Sequence, residues 1–335
     1  MNTSVAIREA QSGLADFLVQ VEEALAQALK DGAGEAHGSG ILMEAGRHLC
    51  LGSGGKRARP MLVRLFGEAV GVPEEVLLKL GIAAELIHSS SLLHDDVVDA
   101  GMFRRSRPTV NARYGNVVAV LSGDMLLSTA LNNLRGMDAE ILHDAVATVR
   151  DMTRAAIVEV ESRGDLSIPL ERMRFVHEGK TGALFGWCGV APARLARDGE
   201  AVARFNTFGR RLGVAFQIAD DIRDLTGMDP GKPQFADIQA KNVSMPILIA
   251  AQRDDSLRRK LRDAWAFTAM TPERVKELGE AVMASGALEV ALDKMDSEIQ
   301  AAIDALGSYG RRSGGDELVK WAHKLAASVQ PGRAP

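Results

Sequence analysis

Apolar residues recur along this chain at steps of three and four rather than two. Leu14, Leu18, Val21, Leu25 and Leu29 form one such series; Leu288, Leu292, Met295, Ile299, Ile303 and Leu306 form another. That spacing keeps one face of a helix apolar, and it predicts amphipathic helices near both ends, the second of about five turns. Few segments alternate apolar and polar for long enough to predict a sheet. Residues 31–40 and 52–55 are Gly-rich and read as loops, and 101–108 reads as a basic loop. Residues 228–243 carry Pro230, Gly231 and Pro233 and cannot form one helix. Residues 308–315 set off a last helix, and 330–335 read as a frayed tail. No linker is long enough to mark a domain boundary, and no solenoid-like repeat is present. The expectation is one all-α domain over residues 1–335, with 1–40 as an N-terminal helix and loop.

Composition sharpens this picture. Only 4% of the 335 residues are aromatic, while the good helix formers are plentiful. Forty Lys and Arg against 44 Asp and Glu leave a net charge of −4, which argues against a protein built to bind nucleic acid. Two cysteines, Cys50 and Cys188, are too few for a disulfide framework or a Cys-rich metal site. They read as reduced core thiols. Residues 1–11 lack a basic-then-apolar signal pattern, and no uninterrupted apolar run reaches the roughly 18 residues of a membrane span. A cytoplasmic location without a transmembrane segment is therefore expected.

One short pattern occurs twice. Asp95-Asp96-Val97-Val98-Asp99 and Asp220-Asp221-Ile222-Arg223-Asp224 both have the form D-D-x-x-D. On a helix, positions i and i+4 share a face, so each motif sets like charges together at a small cost. Both lie between apolar flanks, where carboxylates need cations to stay ionised. Either motif alone reads as a solvated acidic face; two copies with one spacing and one context argue for function. Oxygen donors without Cys or paired His point to Mg²⁺, which uses one or two carboxylates plus substrate phosphate oxygens.

Basic groups match that chemistry. Gly54-Gly55-Lys56-Arg57-Ala58-Arg59-Pro60 places Lys56 and Arg59 beside a Gly-rich turn. His88 precedes Asp95 by two helical turns, Arg104 and Arg105 follow the first motif, and Lys180-Thr181 and Lys232 lie further along. Arginine forks match phosphate oxygens bidentately, and lysine acts as a point charge.

Together with Ile87-His88-Ser89, Gly123-Asp124, Phe216-Gln217 and Gly231-Lys232, these residues closely resemble the trans-prenyltransferases, the polyprenyl or isoprenyl diphosphate synthases, over about residues 40–250. The resemblance implies an isoprenoid (terpenoid) synthase fold with helices around a large central cavity, both acidic motifs at its mouth, a homodimer and Mg²⁺. It implies that Lys56, Arg59, His88 and Arg105 hold the diphosphate of isopentenyl diphosphate. Asp95, Asp99 and Asp220, supported by Asp96, Asp221 and Asp224, would bind Mg²⁺ around an allylic diphosphate. Arg104, Lys180 and Lys232 would contact that diphosphate, with Thr181 and Gln217 beside the reacting carbons.

The expected reaction is ionisation of the allylic diphosphate, attack by the isopentenyl alkene and loss of a proton, with release of diphosphate. A class I terpene cyclase would not require the Gly-Gly-Lys-x-x-Arg element. A non-catalytic synthase subunit tends to lose aspartates, and all six are present. A di-iron bundle is a further alternative, which would want Glu-x-x-His pairs on facing helices. Three segments depart from the family pattern: Lys241 to Pro246, Val158 to Ser162, and Ser106 in place of a glycine. Lys241 is therefore given no ligand role. Ala84, Ile87, Ser90 and Ser91 fall near one face of the helix leading to Asp95. Short-chain members commonly carry an aromatic four or five residues before the first aspartate; here those positions are Ser91 and Ser90. A medium- or long-chain product is expected over a farnesyl or geranylgeranyl one, with transient membrane contact for its release.

Overall fold

The computed structural model describes residues 3–31, 39–51, 55, 57–228, 233–267 and 269–329. Lys56, Lys232 and the tail at 330–335 therefore lie outside the described residues, as do Gly54 and Gly231. Among the described residues the chain forms sixteen α-helices, one π-helical turn, one 3₁₀ turn and a two-stranded hairpin. It divides into two compact units. The first comprises Met1–Ala147, Trp187–Ala203 and Arg311–Gly315; the second comprises Thr148–Gly186, Arg204–Gly310 and Asp316–Pro335.

In the first unit the helix Glu74–Val98 is the central element. It packs most extensively against Asn116–Asn133 and Ala58–Ala69. By length and composition it is apolar enough to cross a membrane, but 67% of its most apolar window is buried in the protein, as befits a core helix. Leu77, Leu80, Ala83, Leu86 and Leu93 carry the burial. One glycine explains the close approach to the neighbouring helix: a Cβ on Gly123 would lie 2.3 Å from His94 Nε2. The His94 ring instead sits 3.2 Å from the Val120 carbonyl and 3.3 Å from Asp124, which accounts for the Gly123-Asp124 pair.

The N-terminal helix Thr3–Asp31 buries Phe17, Val21, Leu25 and Leu29, so the predicted stripe is its inner face with Leu14 and Leu18 at the margin. The second predicted stripe needs a correction of register. Helix Ala287–Leu306 buries Ala287, Ala291, Met295, Ile299, Ala302 and Leu306, while Leu288, Leu292 and Ile303 flank the seam half-buried. Small alanines occupy its centre because they let the opposing helix Met245–Arg253 come close. That helix, together with the ring cluster Phe185, Phe216 and Trp321, builds the core of the second unit.

The segment 101–108 differs from the loop expected of it. Phe103–Arg104 and Arg107–Pro108 pair as antiparallel strands, with Arg104 opposite Arg107. Arg105 and Ser106 occupy the tip with φ of 51° and 61°. Two consecutive left-handed residues are the signature of a tight hairpin turn whose twist matches its strands.

Candidate active site

Each unit carries one acidic motif, and both occupy the C-terminal turns of long helices. Asp95 and Asp96 end Glu74–Val98, with Asp99 as its C-cap; Asp220, Asp221 and Asp224 lie in the last two turns of Gly199–Thr226. This is the negative end of the helix dipole, where a carboxylate is disfavoured by about 0.3–1 kcal/mol. The last turn of the first helix carries no basic residue. Folding energetics alone would not place six carboxylates there.

Within each motif the carboxylates divide into two kinds. Asp96 is buried and takes a forked contact from Arg104, whose Nη2 and Nε lie 2.8 and 3.1 Å from Oδ1. Asp221 is buried and accepts the Met245 backbone N–H at 2.8 Å, with His177 Nε2 3.4 Å away. Burial, and then the charge of Asp237, push its pKa well above the ordinary range. Asp224 is buried and accepts the Asp237 backbone N–H at 3.1 Å. By contrast Asp99 and Asp220 are exposed and Asp95 is half-buried. Asp220 pairs with Arg223 at 2.5 Å, and Arg223 also donates to Ser328 Oγ. Three carboxylates, Asp96, Asp221 and Asp224, are thus buried, while Asp95, Asp99 and Asp220 reach solvent in part or in full.

In the first unit the basic groups surround His88. Burial, then the charges of Arg59, Arg104, Arg105 and Arg57, hold this imidazole well below its ordinary pKa. It is therefore neutral and can offer one N–H without adding charge. Arg57, beside Arg59 in sequence, does something else. It starts helix Ala58–Ala69 from a left-handed conformation (φ 46°) and turns inward. There it meets Glu85 at 2.7 Å, both oxygens of Glu22 and the Cys50 carbonyl. Burial opposes its charge, but Glu22 and Glu85 outweigh burial and raise its pKa. Arg57 is a strut that fixes the basic turn.

The hairpin carries Arg104 and Arg105. Thr109 Oγ1 and Asn111 Nδ2 donate to the Gly101 carbonyl at 2.7 and 3.0 Å and anchor its base. Its tip is strained, because a left-handed non-glycine residue costs about 1–2 kcal/mol. Ser106→Gly is accordingly expected to stabilise the protein by about 0.5–1 kcal/mol, after the glycine's own entropy cost. A thermal melt that is unchanged or lowered would contradict this reading of the turn.

In the second unit Lys180 and Thr181 sit in the π-helical turn Glu178–Gly182, set within a helical run from Leu170 to Leu195. Such single turns concentrate at functional sites. Here close packing accommodates it: a Cβ on Gly213 would lie 2.3 Å from the Gly182 Cα. Glu178 is clamped by Arg174 at 2.7 Å and Arg210 at 3.2 Å, and Arg210 also holds Asp151 at 3.0 Å. Within this turn Thr181 Oγ1 donates to Gln217 Oε1 at 2.9 Å, so the structure brings these two predicted residues together. Lys180 pairs with Glu159, a residue that sequence reasoning noted only as part of a divergent segment. Lys241, left without a role, donates to the Phe267 carbonyl at 2.7 Å. On the helix before Asp95, Ala84, Ile87 and Ser90 are buried, and the half-buried Ser91 donates to the His88 carbonyl at 2.8 Å.

A helical scaffold with an aspartate-rich motif ending a long helix in each unit defines the isoprenoid synthase class, and comparison with known proteins makes the assignment specific. The polyprenyl synthetase family model matches residues 40–282. The chain is 34% identical over 243 residues to heptaprenyl diphosphate synthase component 2 of Geobacillus stearothermophilus, covering 71% of this chain and 74% of that one. It is 34% identical over 274 residues to the geranylgeranyl diphosphate synthase of Mycobacterium tuberculosis, covering 78% and 77%. Among solved structures, a Caulobacter crescentus polyprenyl synthase complexed with calcium and isoprenyl diphosphate matches with a TM-score of 0.84 at 26% identity, over 93% of this chain and 97% of that one. The chain belongs to the polyprenyl synthetase family and is a prenyltransferase of the prenyl diphosphate synthase type.

Proposed function

We propose that this enzyme elongates an allylic diphosphate with isopentenyl diphosphate, in the presence of Mg²⁺, to a medium- or long-chain all-trans polyprenyl diphosphate. The observation that carries the metal-dependent part is that a long helix in each unit ends, where negative charge is disfavoured, in solvent-reaching carboxylates, Asp95 and Asp99 in the first unit and Asp220 in the second. These oxygen-only donors suit Mg²⁺. Among the described residues no three His, Cys, Asp or Glu side chains converge on a ready-made cage. Mg²⁺ ordinarily completes its octahedron with water and substrate phosphate oxygens, so an open carboxylate set fits it. The calcium in the Caulobacter structure supports a divalent ion in this family.

In this reading Asp95, Asp99 and Asp220 hold Mg²⁺, with Asp96, Asp221 and Asp224 orienting their helix ends. When bound, the ion neutralises charge growing on the departing diphosphate. Arg104, Lys180 and Lys232 bind the allylic diphosphate, and Lys56, Arg59, Arg105 and neutral His88 bind that of isopentenyl diphosphate. Thr181 and Gln217 present oxygens towards the carbocation, and released diphosphate accepts the proton. Residues 1–335 serve as one catalytic domain, since the family match runs through segments of both units. The apolar residues Val117, Val120 and Leu121, exposed along Asn116–Asn133, support a homodimer. Exposed Met102 and Phe103 beside the hairpin arginines support brief contact of this cytoplasmic enzyme with membrane during product release.

The long-chain reading rests on Ser90 and Ser91, where no ring stands before Asp95. Incubation with Mg²⁺, isopentenyl diphosphate and each allylic primer, followed by sizing of the products, tests it directly. Products longer than farnesyl diphosphate are expected; termination at farnesyl diphosphate overturns it. Ser91→Phe is expected to shorten the product distribution, because a ring would intrude on the growing chain. An unchanged distribution would remove this helix face from the chain's path.

The two diphosphates are also expected to be separable. Arg59→Ala should raise KM for isopentenyl diphosphate by about 10–100-fold and affect the allylic substrate less, and Lys180→Ala should do the reverse. A charge-assisted hydrogen bond is worth about 1.5–3 kcal/mol. Equal effects on both substrates in steady-state kinetics would merge the two pockets into one.

A further inference from the structure

A second basic feature lies at the foot of the hairpin, in the first unit. A small cavity of about 30 Å³ is lined by His48, Leu49, Arg104, Arg105, Arg107 and Thr109, among others. Its charges are not balanced. Arg104 is neutralised by Asp96. Among the described residues, neither Arg105, Arg107 nor Arg113 has a carboxylate within ion-pair distance. Arg107 and Arg113 converge instead on an imidazole: their guanidinium nitrogens lie 3.4 and 3.3 Å from His48 Nδ1. That ring is oriented by its other nitrogen, which donates to the Pro108 carbonyl at 2.8 Å. The nearby Glu44 is engaged by the Tyr114 hydroxyl at 3.0 Å, and Arg113 stacks over the same tyrosine ring.

This arrangement is costly without an occupant. Arg104 and Arg107 are direct cross-strand neighbours, and Asp96 on Arg104 relieves only part of the repulsion between like charges there. Arg105 protrudes from the strained tip between them. Using an imidazole lone pair rather than a carboxylate to gather two guanidiniums preserves their positive charge while fixing their direction. Forked, preoriented donors of this kind match phosphate oxygens. The enclosed volume admits one or two oxygens of such a group, with the rest in solvent.

We propose that His48, Arg107 and Arg113, gathered beside this cavity, form an anion site for a phosphate or diphosphate group, separate from the two substrate diphosphate positions. It does not depend on the substrate assignments above, because Arg107 and Arg113 have no part in them. The ligand is either a free inorganic ion or the head group of a prenyl diphosphate.

The test is calorimetric titration of the full-length protein with inorganic diphosphate, without Mg²⁺, on wild type, Arg107→Gln, Arg113→Gln and Arg59→Ala. A binding event weakened at least tenfold by Arg107→Gln and by Arg113→Gln but retained in Arg59→Ala is expected. Basal turnover should stay within about twofold in both glutamine variants. Should Arg107→Gln melt early, the exposed Arg113 provides the decisive variant. Repeating the titration with farnesyl diphosphate separates the sources. Arginine-dependent competition by it identifies a lipid head group, and its failure to compete identifies the free ion; both support the site. Binding that is lost in Arg59→Ala but unaffected by the glutamine changes overturns the proposal. So does binding seen only at tens of millimolar. Failure of the substrate assignment would appear separately, as normal isopentenyl diphosphate kinetics in Arg59→Ala.

Discussion

Asp95→Ala is expected to lower kcat by about 10³-fold or more while leaving the fold intact or slightly more stable, and Asp220→Ala to do the same. The kinetic loss follows from removing an outward carboxylate that holds charge where the leaving group departs; loss of one preorganised electrostatic contact commonly costs about 10²–10³ in rate. The stability half follows from position. Each residue lies near the negative end of a helix dipole, among like charges, so its removal relieves repulsion. The two halves must be measured together, as product formation and as a thermal melt. A variant retaining near-wild-type turnover refutes the metal assignment. A variant that is both inactive and strongly destabilised would instead give the aspartate a structural role. Removing Asp220 also breaks its pair with Arg223, an exposed contact worth little, whereas Asp96 provides the contrast as a buried carboxylate whose removal strands Arg104.

Arg57→Met is expected to cost about 3–5 kcal/mol of stability, because it leaves the buried Glu85 without its cation. For a chain of this size that corresponds to a melting temperature lower by roughly 4–7 °C. Cys50 would also lose the donor to its carbonyl, and the exposed Glu22 would turn to solvent at little cost. The double variant Arg57→Met with Glu85→Gln should recover a large part of the loss, since the uncompensated charge is then gone. If the single variant melts like wild type, or Glu85→Gln brings no recovery, the strut is not what holds this turn. Measured KM for isopentenyl diphosphate should rise in the single variant, because Arg59 follows two residues later on the helix that Arg57 starts.

These two residues show what was legible in the sequence and what was not. The helical class followed from the three-and-four spacing of apolar residues and the scarcity of aromatics, because helix periodicity is a local property. The acidic motifs stood out because each repeats one charge pattern in apolar surroundings. Arg57 and Arg59 are indistinguishable in the string Lys-Arg-Ala-Arg; only a left-handed backbone at 57 sends one guanidinium to a buried glutamate. The hairpin was missed because two-residue strands are too short for alternation to register, and its tip carries Arg-Ser where Asn-Gly would have announced the turn. The alanine seam of Ala287–Leu306 was misplaced because a hydrophobic pattern weights large residues, whereas close helix contact selects small ones. Glu159 became visible only through its pairing with Lys180, a contact 21 residues apart in sequence.

The π-helical turn has a consequence for how this stretch of chain can vary. A π turn accommodates one residue more than the α-helix it interrupts, so the flanking stretches Leu170–His177 and Ala183–Leu195 are out of phase by about 100°. Each half can therefore keep its own buried stripe while Thr181 is aimed at Gln217 from between them. Point substitutions leave that offset untouched, but a single-codon deletion anywhere in the turn would erase it and rotate one whole half against the other. This short stretch is consequently intolerant of length change even where it tolerates a change of residue.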